Sequence, residues 1–184
     1  MNIIVAHRRS RPDNLRDRHG EDAEIIDVTS KGEQPWVRFS PFWPHGEIPV
    51  PFSQGVTGAS VEGIWQALKV FESEDVDASK LRVTNMKGIK RSVRRLGAVR
   101  GHRRGLQGDE LLAYQVARER IYLPAYRWVL DHCLQDELQR LRRMADAKPL
   151  VLLDYQTNGD VADLKTPLSH AALVMRYLQD DWPE

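Results

Sequence analysis

A chain of 184 residues with 41% hydrophobic and 29% charged residues carries enough apolar material for a folded core, which argues against disorder. Its net charge of +1 excludes a general polycation, so any affinity for nucleic acid must come from a local patch. The one cysteine, Cys133, excludes an internal disulfide and reads as a small packed hydrophobe in a reducing cytoplasm.

The opening "NIIVA" reads as a strand, the charged run from Pro12 to His19 as an exposed helix, and "AEIIDV" as a second strand. This predicts a β-α-β-like extension over residues 1–30, at the start of a single domain spanning 1–184. The first apolar run is too short for a signal peptide, and no run approaches the length that crosses a bilayer. A cytoplasmic protein without a membrane partner is therefore expected.

From Lys31 to Thr57 prolines at 35, 41, 44, 49 and 51 interrupt an aromatic-rich stretch and exclude an α-helix. Long loops of this kind either brace the core or carry function. The next element, "SVEGIWQALKVFE", predicts a helix over Ser60 to Glu72 with Ser60 as N-cap. Val61, Ile64, Leu68 and Phe71 would share its core face. Glu62, Trp65, Gln66 and Lys69 would form a mixed stripe beside it. Ordinary surface charges around a peripheral indole would explain that stripe. So would a pocket wall, with a ring for a flat ligand, a carboxylate for proton transfer and an amine for a phosphate or a carbonyl.

After the acidic link "ESEDVD", a helix is expected near Met86 to Leu96, ended by Gly97. Lys87, Arg91, Arg94 and Arg95 would lie near one face of it. Together with Lys90, Arg100, Arg103 and Arg104 they form a basic run that no acid interrupts. Such a run suits phosphates, or else balances the acidic link. A long helical region is expected from Gly108 to about Ala147, capped by Asp109 and kinked or divided at Pro124. Arg118 and Tyr122 lie one turn apart there. Two readings fit: a pair that faces a pocket or, more plainly, a core tyrosine beside a surface arginine. "KPLVLLDY" reads as a buried strand, and "PLSHAALVMRYLQD" as a helix whose start is marked by Pro167 and Ser169. The sum is an α+β, helix-rich fold with a few short strands. His102 and His170 stand apart from other ligand-type residues, so no metal and no cofactor are expected.

The segments "PWVRFSPFWP" and "GASVEGIWQALKVF" resemble the signature of the NADAR superfamily, the NAD- and ADP-ribose-associated domains. Phe39, Ser40, Phe42, Trp43 and Pro44 stand in its aromatic segment. Ser60, Val61, Glu62, Trp65, Gln66, Ala67 and Lys69 stand in its helical one. The likeness covers roughly residues 36–71. The chain departs from it at Gly63, where the family carries His, and at Pro41, where it carries Asn. It departs again in "DYQTNGDVADLKTPLSHAAL", where many members have an acidic residue and a Trp-Gly pair. The whole chain also resembles a narrower group of bacterial and phage proteins that share "TNMKGIKR", "GHRRG" and "IYLPAYRWVL".

NADAR proteins are N-glycosidases that cleave the bond between a ribose and a base or amine. The resemblance implies that Glu62 and Lys69 are catalytic and that Trp36 and Trp65 line the site. The full expected substrate-binding set is Trp36, Phe39, Ser40, Trp65, Gln66, Arg91, Arg94, Arg95, His102, Arg118, Asp154 and His170, with Asp154, Asn158 or His170 as the candidates to replace the missing acidic motif. The implied substrate is a ribosylated nucleotide or an ADP-ribosylated nucleic acid. The competing readings are a small phosphoribosyl metabolite as substrate, or a non-catalytic module that binds ADP-ribose or nucleic acid.

Overall fold

The computed structural model describes residues 1–183. In chain order its first elements are β1 (Ile3–His7), α1 (Pro12–His19), β2 (Glu24–Asp27), a 3-10 turn (Trp36–Phe39), β3 (Ile48–Pro49) and β4 (Thr57–Gly58). Next come α2 (Val61–Leu68), β5 (Lys69–Phe71), a second 3-10 turn (Ala78–Arg82), α3 (Val93–Leu96), β6 (Val99–Arg103) and β7 (Leu111–Leu112). The chain closes with α4 (Tyr114–Ala117), a π-helical turn (Arg118–Tyr122), α5 (Leu123–Cys133), α6 (Gln135–Ala147), β8 (Leu150–Asp154) and α7 (His170–Leu178). Helix and sheet are mixed, as the sequence predicts. Among the described residues no helix is long and apolar enough to cross a membrane.

The chain forms two compact units, one of residues 1–40 and 134–184, the other of residues 41–133. In the first, β1 and β2 both pair in parallel with β8, giving the order β1-β8-β2. The opening β-α-β segment is thus built into a sheet whose central strand arrives some 120 residues later in the sequence. All five residues of β8 are buried, as expected for a central parallel strand covered on both faces. Val151 and Leu153 meet Leu15 of α1, with Ala23, Ile4, Ala6 and Ile25 around them. The alternate residues Leu150 and Leu152 point to the opposite face, and α6 and α7 pack against β8.

In the second unit β5, β6 and β7 form an antiparallel sheet. Ser60 caps α2 by accepting from the Gly63 N–H at 3.0 Å, as predicted. The helix ends at Leu68, four residues before the expected Glu72. Val70 and Phe71 are strong strand formers, and they pair with Gly101 and Val99 of β6 instead. Phe71 therefore leaves the predicted helical stripe, and Lys69 sits at the C-cap with extended backbone. Nor is α2 amphipathic: every residue but Glu62 is buried.

Two further expectations change. The helix over Met86 to Leu96 shrinks to Val93–Leu96, because Met86 and Gly88 take positive φ angles of 59° and 68° in a turn. The long helix begins at Tyr114 rather than near Gly108, since Leu111 and Leu112 join β7. Pro124 does not divide it. A π-helical turn over Arg118–Tyr122 precedes the proline, which lacks the N–H that would complete the regular ladder. The division falls at Leu134, between α5 and α6.

Candidate functional site

The second unit gathers the chemistry that the sequence placed on one helix. Glu62 lies in the first turn of α2, where its charge suits the helix dipole. Its Oε1 accepts from Gln66 Nε2 at 2.8 Å, one helical turn on. Gln66 Oε1 in turn accepts from the Arg91 N–H at 3.1 Å. That main-chain donor fixes which way the amide points, so the NH2 must face Glu62.

Burial pushes the Glu62 carboxyl above its ordinary range, against the Gln66 hydrogen bond and the charges of Lys69 and Lys90. Burial pushes the Lys69 amine below its ordinary range, against the pull of Glu62 and with help from Lys90 and Arg91. An acid that keeps its proton longer thus stands near an amine that gives its proton up sooner. Lys69 Nζ also lies 5.8 Å from the centre of the Trp65 ring. Trp65 is the hub of an aromatic cluster. Tyr114 and Tyr122 meet it edge-on at 5.9 and 5.8 Å, and His102 packs on it at 3.7 Å with a 33° tilt.

His102 faces Lys69 across the β5–β6 ladder and is fully buried. Burial and the charge of Lys69 push its pKa down to about 3, which keeps the ring neutral. Among the described residues neither ring nitrogen has a hydrogen-bond partner. A buried imidazole left in that state costs free energy, so its place calls for an explanation other than packing.

The basic run divides on inspection. Arg91, expected to bind phosphate, is a structural brace. Its guanidinium donates to the main-chain oxygens of Lys69 at 2.5 Å, Gln66 at 3.3 Å and Asp75 at 2.7 Å, and lies 4.8 Å from the Phe71 ring. It caps the end of α2 and fixes the start of β5. Arg91, Arg100 and Arg103 pair with Glu74, Glu72 and Asp75 of the acidic link, and Arg104 pairs with Glu110. Arg94 and Arg95 sit exposed on α3 and remain available to phosphate. Lys87 lies in the preceding turn, off that helix, while Lys90 sits 5.4 Å from the Phe42 ring.

Arg118 is buried, contrary to the plainer reading that put it at the surface. Its Nη2 donates to Tyr114 Oη at 3.2 Å, and its guanidinium lies 4.6 Å from that ring. Tyr122 is the half-buried member of the pair and reaches Trp65. Sequence reasoning missed Tyr114 and the proximity of Lys90 to Glu62. Extending the Arg118–Tyr122 spacing back by one turn would have found Tyr114; Lys90 had no periodic signal.

The remaining candidates belong to the first unit. Trp36 and Phe39 stack at 6.4 Å on one 3-10 turn, with Arg140 4.8 Å from the Trp36 ring, and Ser40 is buried behind them. Asp154 ends β8, and its Oδ2 accepts from Ser169 Oγ at 2.7 Å, His170 Nδ1 at 3.0 Å and the Ala171 N–H at 3.3 Å. His170 Nε2 donates to the Val28 carbonyl at 2.9 Å. Both nitrogens thus face acceptors, which fixes the ring as an imidazolium. Burial alone would lower His170 and raise Asp154. Their mutual attraction reverses both, so His170 rises and Asp154, further held by Ser169 and Ala171, falls to about 2. This pair fastens the start of α7 to the ends of β8 and β2.

Gly63 has a steric reason for departing from the resembled pattern. A Cβ there would lie 2.7 Å from the Lys80 carbonyl oxygen, where the second 3-10 turn crosses α2. The histidine of the resembled motif has no room at this position.

The fold and site define an α+β protein whose second unit holds a half-buried glutamate and lysine beside an aromatic cluster. Over residues 7–174 the chain matches, and belongs to, the family of unknown function DUF6939. No curated protein and no solved structure matches it.

Proposed function

We propose that this protein is an N-glycosidase of NADAR-like architecture that hydrolyses the bond between a ribose and a base. The substrate that best fits the resemblance is ADP-ribosylated guanine in a nucleic acid or a related nucleotide. One observation carries the reading: Glu62 and Lys69, the two residues that the family motif makes catalytic, are pushed by burial toward the protonated acid and the free amine.

The protonated Glu62 gives its proton to the leaving nitrogen as the C1′–N bond breaks and its electron pair goes to the base. Water adds its oxygen to C1′ and returns a proton to Glu62, so the carboxyl is regenerated. Gln66 holds the carboxyl in place, and Trp65, packed by His102, Tyr114 and Tyr122, supplies the apolar surroundings of the site. In the alternative role Lys69, as a free amine, adds to C1′ in place of water. The C1′–O4′ bond then opens, O4′ takes the proton that the amine loses, and water hydrolyses the resulting Schiff base to free the ribose and restore the amine. Exposed Arg94 and Arg95 supply cations for phosphates.

The test is release of free ADP-ribose from guanine-modified DNA and RNA, with a phosphoribosyl metabolite as the competing substrate. Release from the polymer that stops in Glu62→Gln supports the proposal. Turnover of neither substrate by a folded protein overturns the enzymatic reading in favour of a binding module.

A further inference from the structure

We propose that the first unit carries its own ligand site, for a nucleoside 5′-monophosphate group, at the carboxyl ends of β1 and β2. It lies beyond the reading of Glu62 and Lys69 and does not depend on it.

The topology creates the place. All three strands are parallel, so His7, Asp154 and Asp27 end on one edge of the sheet. The neighbours β1 and β8 then send the chain to opposite faces. The helix after β1 packs through Leu15 on the Val151 and Leu153 face. The helix after β8 is tied through Ser169 and His170 to Asp154, on the Leu150 and Leu152 face. Adjacent parallel strands that diverge in this way leave a crevice at their carboxyl ends, where ligands of α/β sheets bind.

A cavity of about 450 Å³ opens toward this end of the sheet on the β2 side: Arg8 after β1, Ile25 to Asp27 of β2, and Lys31, Gly32, Glu33 and Trp36 of the chain that follows line it. That volume falls within the ordinary span of small-molecule sites, about 300 to 1,000 Å³. Its walls carry three kinds of chemistry. Arg8 is held by Asp27, whose Oδ2 accepts from Nε at 2.7 Å, and its guanidinium lies 5.6 Å from the Tyr155 ring. Among the described residues its Nη1 and Nη2 meet no acceptor, which leaves a planar two-donor edge of the kind that grips phosphate. Lys31 adds an exposed ammonium without an acidic partner.

Trp36 supplies the aromatic wall. It is half-buried and backed by Phe39 and Arg140. Glu33 offers an unpaired carboxylate, which repels phosphate and accepts from ribose hydroxyls. Cations, ring and carboxylate in one cleft match the phosphate, base and sugar of a mononucleotide. The start of α7 is not part of the site, because the Asp154 carboxylate already fills its anion position.

Isothermal titration of the full chain with 5′-mononucleotides tests this, alongside inorganic phosphate, an unphosphorylated nucleoside and a 5′-phosphorylated oligonucleotide. Saturable binding of the mononucleotide is expected, at least tenfold tighter than of phosphate or nucleoside alone. Lys31→Met, a change at an exposed side chain, and Arg8→Gln should each weaken it about tenfold or more. Amide shifts in nuclear magnetic resonance should fall on residues 8, 27 and 31–36. Binding must persist in Glu62→Gln, which separates this site from the proposed active site. A mononucleotide that binds as well as the oligonucleotide assigns a free metabolite; tighter oligonucleotide binding assigns a chain end. No saturable binding at millimolar nucleotide overturns the proposal. So does binding untouched by both substitutions, or lost in Glu62→Gln.

Discussion

The imidazole of His102 packs 3.7 Å from the Trp65 ring, fully buried, with both its nitrogens unpaired. A residue that only filled space would be better served by an apolar side chain, because an unpaired buried polar group costs about 1 to 3 kcal/mol. That cost is what favours reading His102 as part of the proposed site.

The first prediction follows from that cost. The folded state refuses a proton at His102 until about pH 3, while the unfolded chain accepts one below about pH 6.5. Stability from this group is therefore present above pH 6.5 and lost as pH falls, by up to about 1.4 kcal/mol per pH unit. His102→Phe should raise the melting temperature at pH 5 more than at pH 8 and flatten the acid limb of stability. Thermal unfolding across pH 4 to 8 checks this; a lower melting temperature at every pH would show that the ring is only a packing residue.

Asp154→Asn should be among the most damaging single changes in the first unit. It leaves the His170 imidazolium buried without its counter-ion and weakens the cap of α7. Breaking a buried pair from one side costs about 3 to 5 kcal/mol. The signs of the two shifts define a window. The Asp154 share is present above its unfolded value near pH 4 and lost as pH falls toward about 2. The His170 share is present below about pH 6.5 and lost as pH rises through its raised folded value. Urea unfolding of the variant and the parent at pH 6 measures the difference.

Gly63→Ala tests the steric account of the missing histidine. Its methyl group would press on the Lys80 carbonyl at 2.7 Å, and overpacking of this kind costs about 1 to 3 kcal/mol. A neutral or stabilising result in denaturant unfolding would mean that the second 3-10 turn yields easily, and that another reason excludes His.

Lys69 has a chemical test of its own. In the Schiff-base role, borohydride added during turnover should leave a ribose adduct on Lys69, visible as added mass on the peptide that holds it. Lys69→Arg should abolish the adduct. The working form needs Glu62 protonated and Lys69 uncharged, so activity should fall on both sides of an optimum. At low pH the amine is charged, and at high pH the carboxyl has lost its proton. Turnover without any trappable adduct assigns Lys69 to phosphate binding instead.

Much of this was legible in the residues. The β8 strand was written in "LVLLD", the two serine caps in Ser60 and Ser169, and the Glu62–Gln66 contact in a one-turn spacing. What escaped depended on distant partners. Lys69 to Phe71 continued the helical pattern of α2 until pairing with β6 drew it into a strand. Arg91 looked like a phosphate ligand because nothing local showed that three main-chain carbonyls would surround it. The basic run met its acids where β5 pairs with β6, at separations that no periodicity encodes.

The central claim is that Glu62 is the proton donor for cleavage of an N-glycosidic bond. Its most direct measurement is ADP-ribose release from guanine-modified nucleic acid by the parent protein and by Glu62→Gln, both shown to be folded. The account predicts turnover by the parent and a loss of about 100-fold or more in the variant, the usual scale of general acid catalysis. Equal turnover by both proteins would contradict it.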